Sequence, residues 1–215
     1  MKTLLQLNTS LFSTNGQSSR LADRFVAEWR SGNPGGRVMA RDLASDTVPH
    51  LTAERFGAFL ATPESRTLEQ QKVVNESDAL IDELRAADTI VLGLPMYNFG
   101  IPSTLKAYFD HIARAGVTFR YTENGPEGLL KGKKVYVALT RGGKYRDTPA
   151  DSQVPYLKTV FGFLGLTDVA LVYAEGLNMG ADAEQMALNS AHQQIEEVLN
   201  TPAIARIDND ELEFA

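Results

Sequence analysis

The 215-residue chain contains no cysteine. That absence excludes a disulfide framework, Cys-ligated zinc, iron-sulfur clusters, CxxC redox chemistry and a thiol nucleophile. Any redox chemistry must therefore come from a bound cofactor. Positive charge is in short supply as well: 21 Lys+Arg stand against 27 Asp+Glu, a net charge of -6 with no Lys/Arg run. Nucleic-acid binding needs a basic surface to neutralise phosphates, so a nucleic-acid partner is not expected. Four of the acids, Asp208, Asp210, Glu211 and Glu213, crowd the last eight residues, and the remainder is close to neutral. Long apolar runs are missing too. The strongest, Thr89 to Leu94, ends at Pro95, far short of the roughly 18 residues of a membrane span. After Met1-Lys2-Thr3-Leu4-Leu5-Gln6-Leu7, polar residues follow where a secretory signal would stay apolar, so the expectation is a soluble cytoplasmic protein.

Several motifs are absent by simple count. No two glycines lie two residues apart, so GxGxxG cannot occur, and Gly132-Lys133 is followed by Lys134, which rules out a Walker A loop. There is no HExxH and no GxSxG; His50, His111 and His192 are isolated, and Asp42, Asp46 and Asp88 form no spaced metal cluster. Zinc hydrolysis and serine hydrolysis lack their parts.

What is present is an alternation of short apolar segments and one-face helices. Strands are expected at Leu4 to Leu7, Arg37 to Asp42, Thr89 to Leu94, Val135 to Leu139 and Val169 to Tyr173. Helices are expected from near Gln17 past Trp29, over Thr67 to Ala86, from Pro102 to Ile112, over Gln153 to Leu164 and over Ala183 to Leu199. The Thr89 run has no polar alternation after its first residue, as suits a central parallel strand covered on both faces. The pattern predicts an α/β fold, a doubly wound five-stranded parallel sheet with helices on both faces, as one domain over residues 1–200 with an acidic C-terminal tail at 201–215. The stretches Thr47 to Glu64 and Gly116 to Leu130 stay unexplained by that pattern.

In such a sheet ligands sit beyond the carboxyl ends of the strands. The loop after the first strand, Thr9 to Ser18, is rich in hydroxyls and delivers the chain to a helix N-terminus, which suits a phosphate; it suits an ordinary cap equally well. The loop after the third strand, Leu94 to Pro102, carries Tyr97, Phe99, Gly100 and two prolines. It is stiff and offers a flat apolar surface to a planar ring, or else its aromatics fill the core. After the fourth strand comes Thr140-Arg141-Gly142-Gly143, where paired glycines let backbone approach a ligand edge or simply turn the chain.

Three fragments, Pro95 to Phe99, Val117 to Pro126 and Thr140 to Gly143, together resemble the FMN-dependent NADH azoreductases, also called NADH:quinone oxidoreductases, of flavodoxin-like fold. The resemblance spans about residues 1 to 200. It implies a homodimer with bound FMN, a substrate pocket lined from both subunits, and NADH or NADPH as reductant for quinone, azo or nitro-aromatic acceptors. It places the cofactor phosphate on Ser10 and Gly16-Gln17-Ser18, the ring on Met96, Tyr97, Asn98 and Phe99, and a second ring contact on Thr140, Arg141, Gly142 and Gly143. Asn98 and Tyr121 are the expected substrate contacts. No protein side chain is expected to act as nucleophile, because the flavin N5 atom carries the hydride. Many members have Pro-Arg where this chain has Leu11-Phe12, and serine where it has Gly16. A flavodoxin-type electron carrier would share the fold and FMN, although such carriers tend to be shorter and more uniformly acidic. An acyl carrier protein phosphodiesterase, an old label in this family, would lack a nucleophile or metal cluster here.

Overall fold

Apolar segments with period two pair into a sheet before anything else positions the site. The computed structural model describes residues 1–200, and the acidic tail set apart in the sequence lies outside the described residues. In chain order the elements are β1 (Thr3–Asn8), α1 (Gln17–Gly32), β2 (Arg37–Asp42), α2 (Ala53–Leu60), α3 (Leu68–Ala86), β3 (Thr89–Pro95), α4 (Ser103–Ile112), β4 (Phe119–Thr122), β5 (Gly125–Gly128), β6 (Lys134–Arg141), α5 (Gln153–Leu164), β7 (Asp168–Glu175) and α6 (Ala181–Asn200). The main sheet runs β2-β1-β3-β6-β7 with every pairing parallel. The expected doubly wound sheet is thus observed, and all seven residues of β3 at its centre are buried.

Alternate residues of each strand feed opposite cores. Leu4, Val91, Tyr136, Ala138 and Val172 pack under α1 and α6, where Leu21, Phe25, Trp29 and Ile195 supply the helical side. Leu5, Leu7, Leu92, Val137 and Leu139 face α3, α4 and α5 through Ile81, Leu84, Leu105, Phe109 and Phe161. Helix ends follow local chemistry. Thr67 and Gln70 form a reciprocal capping box that starts α3, and left-handed Gly165 (φ 88°) ends α5. One close approach fixes the site's geometry: a Cβ at Gly93 would lie 2.8 Å from the Ser18 carbonyl, so only glycine lets the first turn of α1 rest on β3.

The two unexplained stretches resolve into local structure. Gly116 to Leu130 contains the antiparallel hairpin β4–β5, and Thr47 to Glu64 contains α2, started by Thr52, whose side chain accepts from the Arg55 N–H. Few α2 residues are buried, so polar contacts dock it. Arg55 Nε donates to His111 Nε2 (2.9 Å), its second arm meets Glu76 (2.6 Å), and Phe59 meets the His111 ring edge-on. His111 Nδ1 then donates to the Ala107 carbonyl (2.9 Å), which leaves the ring neutral.

Burial pushes the His111 pKa below its usual 6.5, with Arg55 acting in the same direction and the Ala107 bond opposing. A histidine kept neutral by folding takes up a proton more readily when unfolded, so its contribution is complete above pH 6.5 and is lost as pH falls below that value. The thermal midpoint is therefore expected to fall on acidification from pH 7.5 to roughly 5.5, the window set by ordinary histidine titration. In His111→Gln, which keeps a donor and an acceptor but does not titrate, that fall should be shallower. Parallel curves for the two proteins would place the acid sensitivity elsewhere.

Candidate functional site

Strand order reverses between β1 and β3, and the crevice at such a switch point is where open α/β sheets bind ligands. Three loops meet there. The first leaves β1 with Thr9, whose hydroxyl donates to the Gly93 carbonyl (2.7 Å), and turns through Ser13 at φ 51°. Most of its hydroxyls shape the loop: Ser13 Oγ donates to the Asp42 carboxylate, Ser19 Oγ to the Ser13 carbonyl (2.7 Å), and Ser10 Oγ accepts from Phe12 N–H (3.2 Å). Ser18 differs. It is 1% exposed in the first turn of α1, and its Oγ has no hydrogen-bond partner. The same helix start has Gly16 at its cap, no side-chain cap and no acid in its first turn. A buried, unsatisfied hydroxyl beside uncapped N–H donors and the positive end of a helix dipole fits an anion. Gln17 points elsewhere, its amide donating to Glu184 on α6 (2.8 Å).

The second loop follows β3. Tyr97 and Gly100 exchange backbone hydrogen bonds (3.1 and 3.0 Å) around Asn98 and Phe99, both left-handed at φ 50° and 64°. Asn tolerates that conformation; Phe does not, and a non-glycine residue held there stores about 1–3 kcal/mol. Met96 N–H is anchored on the Thr140 carbonyl (3.0 Å). The Tyr97 hydroxyl reaches Ser10 Oγ (3.3 Å) and accepts from Leu11 N–H (3.2 Å), tying this loop to the first.

The third loop follows β6. Met96, Asn98, Phe99, Gly142 and Gly143, all expected from sequence, come together around one cleft of about 450 Å³, joined by Tyr145 and Asn178. Sequence reasoning missed the last two. A Cβ on Gly142 would lie 2.5 Å from the Asn178 amide nitrogen, and one on Gly143 2.7 Å from the Tyr145 hydroxyl, so the glycine pair makes room for both. Of the remaining expected residues, Thr140 is buried beneath the cleft with its carbonyl on Met96, and Tyr121, 75% exposed on β4, is not among the residues lining it. Arg141 turns its side chain away from the cleft. Fully buried, it grips Asp151 with two bonds (2.9 and 2.7 Å) and also reaches Glu175 (3.1 Å) and Gln153 Oε1 (3.3 Å). Glu175 in turn accepts from the Tyr145 and Arg146 N–H groups (2.8 and 2.9 Å), which fixes the loop that carries Tyr145.

The sequence profile of the flavodoxin-like fold family matches residues 2–199. The chain belongs to that family. Among its relatives it is 57% identical over 195 residues, 91% of this chain and 98% of the relative, to FMN-dependent NADH:quinone oxidoreductase 6 of Burkholderia lata. It is 56% identical, over 92% of this chain and 98% of the relative, to the FMN-dependent NADH:quinone oxidoreductase of Cellvibrio japonicus. Among solved structures it superposes on the FMN-dependent NADH-azoreductase of Bacillus anthracis in complex with FMN with a TM-score of 0.84, at 30% identity, covering 94% of this chain and all of that one. These names favour a reductase over an electron carrier or a phosphodiesterase.

Within the flavodoxin-like fold family the departures noted in the sequence acquire a geometry. Gly16 faces Ser10 so closely that a Cβ there would lie 2.5 Å from the Ser10 Cβ and nearer still to its Oγ. A serine at this position would require the loop backbone to shift, since rotating the Ser10 side chain moves its Oγ but not its Cβ. Leu11 and Phe12, in place of Pro-Arg, are 60% and 69% exposed and give the loop an apolar outer surface.

Proposed function

We propose that this protein is an FMN-dependent NADH:quinone oxidoreductase that also reduces azo and nitro-aromatic compounds. The observation that carries this reading is the unpartnered Ser18 hydroxyl at an uncapped helix start, reached by a loop that Tyr97 ties to the one carrying Phe99 into a cleft with a glycine pair. Ser18, with Ser10, Gly16 at the cap and the backbone N–H groups of Gln17 and the first turn of α1, would hold the cofactor phosphate, the Gln17 side chain staying on Glu184. Met96, Tyr97, Asn98 and Phe99 on one side and the Thr140–Gly143 backbone on the other would hold the ring. FMN held there would supply the hydride chemistry between NADH and a quinone or azo acceptor.

The chain's own part is orientation. Phe99 and the glycine pair leave room for one flat partner at a time, Asn98 offers its amide to that partner, and the N–H groups of the third loop favour negative charge at the ring edge. Arg141 contributes through the loops it ties rather than by contact. We place the protein in the cytoplasm and read it as a homodimer in which Tyr121, exposed on its hairpin, reaches the partner's pocket; its exposure and its absence from the lining of its own chain's cleft support that assignment. Among the described residues no helix is long and apolar enough to cross a membrane.

The direct test is the visible spectrum of the purified protein: a flavin band that bleaches on adding NADH and recovers with a quinone supports the reading, and a protein that takes up no FMN ends it. Geometry also sets the kinetics. With room for one flat partner, nicotinamide must leave before the acceptor enters. Double-reciprocal plots for NADH at several quinone concentrations should be parallel lines, as in other two-stage transfers. Intersecting lines would mean that both bind together.

A further inference from the structure

Nothing in the cleft itself explains how Phe99 is kept at φ 64°, since the two bonds between Tyr97 and Gly100 close the turn without fixing its position. The fixing contacts come from the start of α5. Gln153 is fully buried, and its amide nitrogen donates to the Pro95 carbonyl (2.9 Å) and to the Gly100 carbonyl (3.2 Å), on either side of the turn. Its amide oxygen accepts from Arg141 Nε (3.3 Å), so the orientation of the carboxamide is set by a guanidinium that Asp151 and Glu175 immobilise. One residue earlier, Ser152 Oγ donates to the carbonyl of Phe99 itself. Three carbonyls of one loop are thus held by two consecutive side chains from another element.

A buried glutamine with all its strong contacts made could simply be well satisfied in the interior. Two features point beyond that. The carbonyls it holds flank a strained turn, and the turn presents Phe99, 55% exposed, directly to the cleft. We infer that Gln153, assisted by Ser152, is a positioning residue for the loop that meets the flat cofactor: it holds the Tyr97–Gly100 turn in its left-handed form before ligand arrives. This rests on the FMN reading above. Without the bracket the turn can relax its strain, and a site that is competent only part of the time binds in proportion to that fraction.

The test uses flavin-free full-length protein, wild type, Gln153→Met and Ser152→Ala, with two measurements. Fluorescence titration with FMN should show about tenfold weaker binding for Gln153→Met, the effect of releasing strain of this size, and about threefold for Ser152→Ala, which loses one hydrogen bond. Hydrogen exchange without flavin should be faster at the Tyr97 and Gly100 amides in both variants, while β1 and β6 amides keep their wild-type protection. Ser152 is exposed, so its variant keeps the test decisive even when Gln153→Met does not fold. Unchanged affinity in the folded variants overturns the proposal. Faster exchange with unchanged affinity also overturns it, leaving Gln153 as a strut with no bearing on the ligand. A wild type that takes up no FMN would sink the functional reading instead, and the exchange data would still report whether the bracket holds the turn.

Discussion

Ser18→Asp is expected to remove most FMN binding and to destabilise the flavin-free protein as well. Both effects come from placing a charge at one buried helix start. No acid occupies the first turn of α1, and a carboxylate there gains about 0.3–1 kcal/mol from the helix dipole, but the position is 1% exposed and the several kcal/mol cost of burying the charge outweighs that gain. The same carboxylate then sits where the phosphate is assigned. Two like charges about 4 Å apart repel by roughly 4 kcal/mol at the effective dielectric typical of such sites, so the loss should be at least about a hundredfold. Ser18→Ala, which removes only the unpartnered hydroxyl, should weaken binding a few fold. Fluorescence titration and a melting curve read both quantities on one sample. Wild-type affinity in the aspartate variant would move the phosphate to another loop.

Arg141→Met should be the most damaging single change to stability. Its guanidinium is 0% exposed and is shared between Asp151 and Glu175, themselves 8% and 13% exposed. Methionine matches much of the volume but leaves two carboxylates out of water with no cation, and breaking a buried pair in this way costs about 3–5 kcal/mol. For a chain of this size that lowers the thermal midpoint by roughly 10 °C. Arg141→Lys should recover only part of the loss, since an ammonium cannot make the paired bonds to Asp151. Adding Asp151→Asn to the methionine variant should restore stability relative to that variant, because one stranded charge is gone. A melting curve indistinguishable from wild type would show that the cluster carries little energy.

The sheet was legible because its residues obey short-range rules. The run Thr89 to Leu94 suits a covered strand, and Leu21, Phe25 and Trp29 follow the spacing of one face of a helix. The two missed elements lack such signals. In α2 only Ala58 is buried and docking is by Arg55, a polar contact with no period, while the strands of β4–β5 are four residues each. For the site, sequence located the three loops but not what holds them. Asn178 and Tyr145 reach the cleft from turns whose approach depends on the packing of β7 beside β6, and Gln153 read as an ordinary first residue of a helix. The side chain of Arg141 is the instructive case. Its place in the loop was visible, but its direction was not, because that is set by Asp151 and Glu175, 10 and 34 residues further along.

The position of β1 between β2 and β3 has a consequence for how the chain acquires its shape during synthesis. Its N-terminal partner on the β3 side is far away: Thr3 N–H donates to the Asp88 carboxylate across 85 residues, and Leu4 pairs beside Thr89. During synthesis β1 therefore has one edge with no companion until α1, β2, α2 and α3 have all been made. Translation at about 5–20 residues per second makes that interval several seconds long. Pairing of such sequence-distant parallel strands is slow in any case, since the intervening loop must be closed before the contacts reward it. Throughout that time Leu4, Leu5 and Leu7 are available to the wrong neighbour, so the newborn chain is most exposed to aggregation, and most open to chaperone capture, before residue 95 emerges.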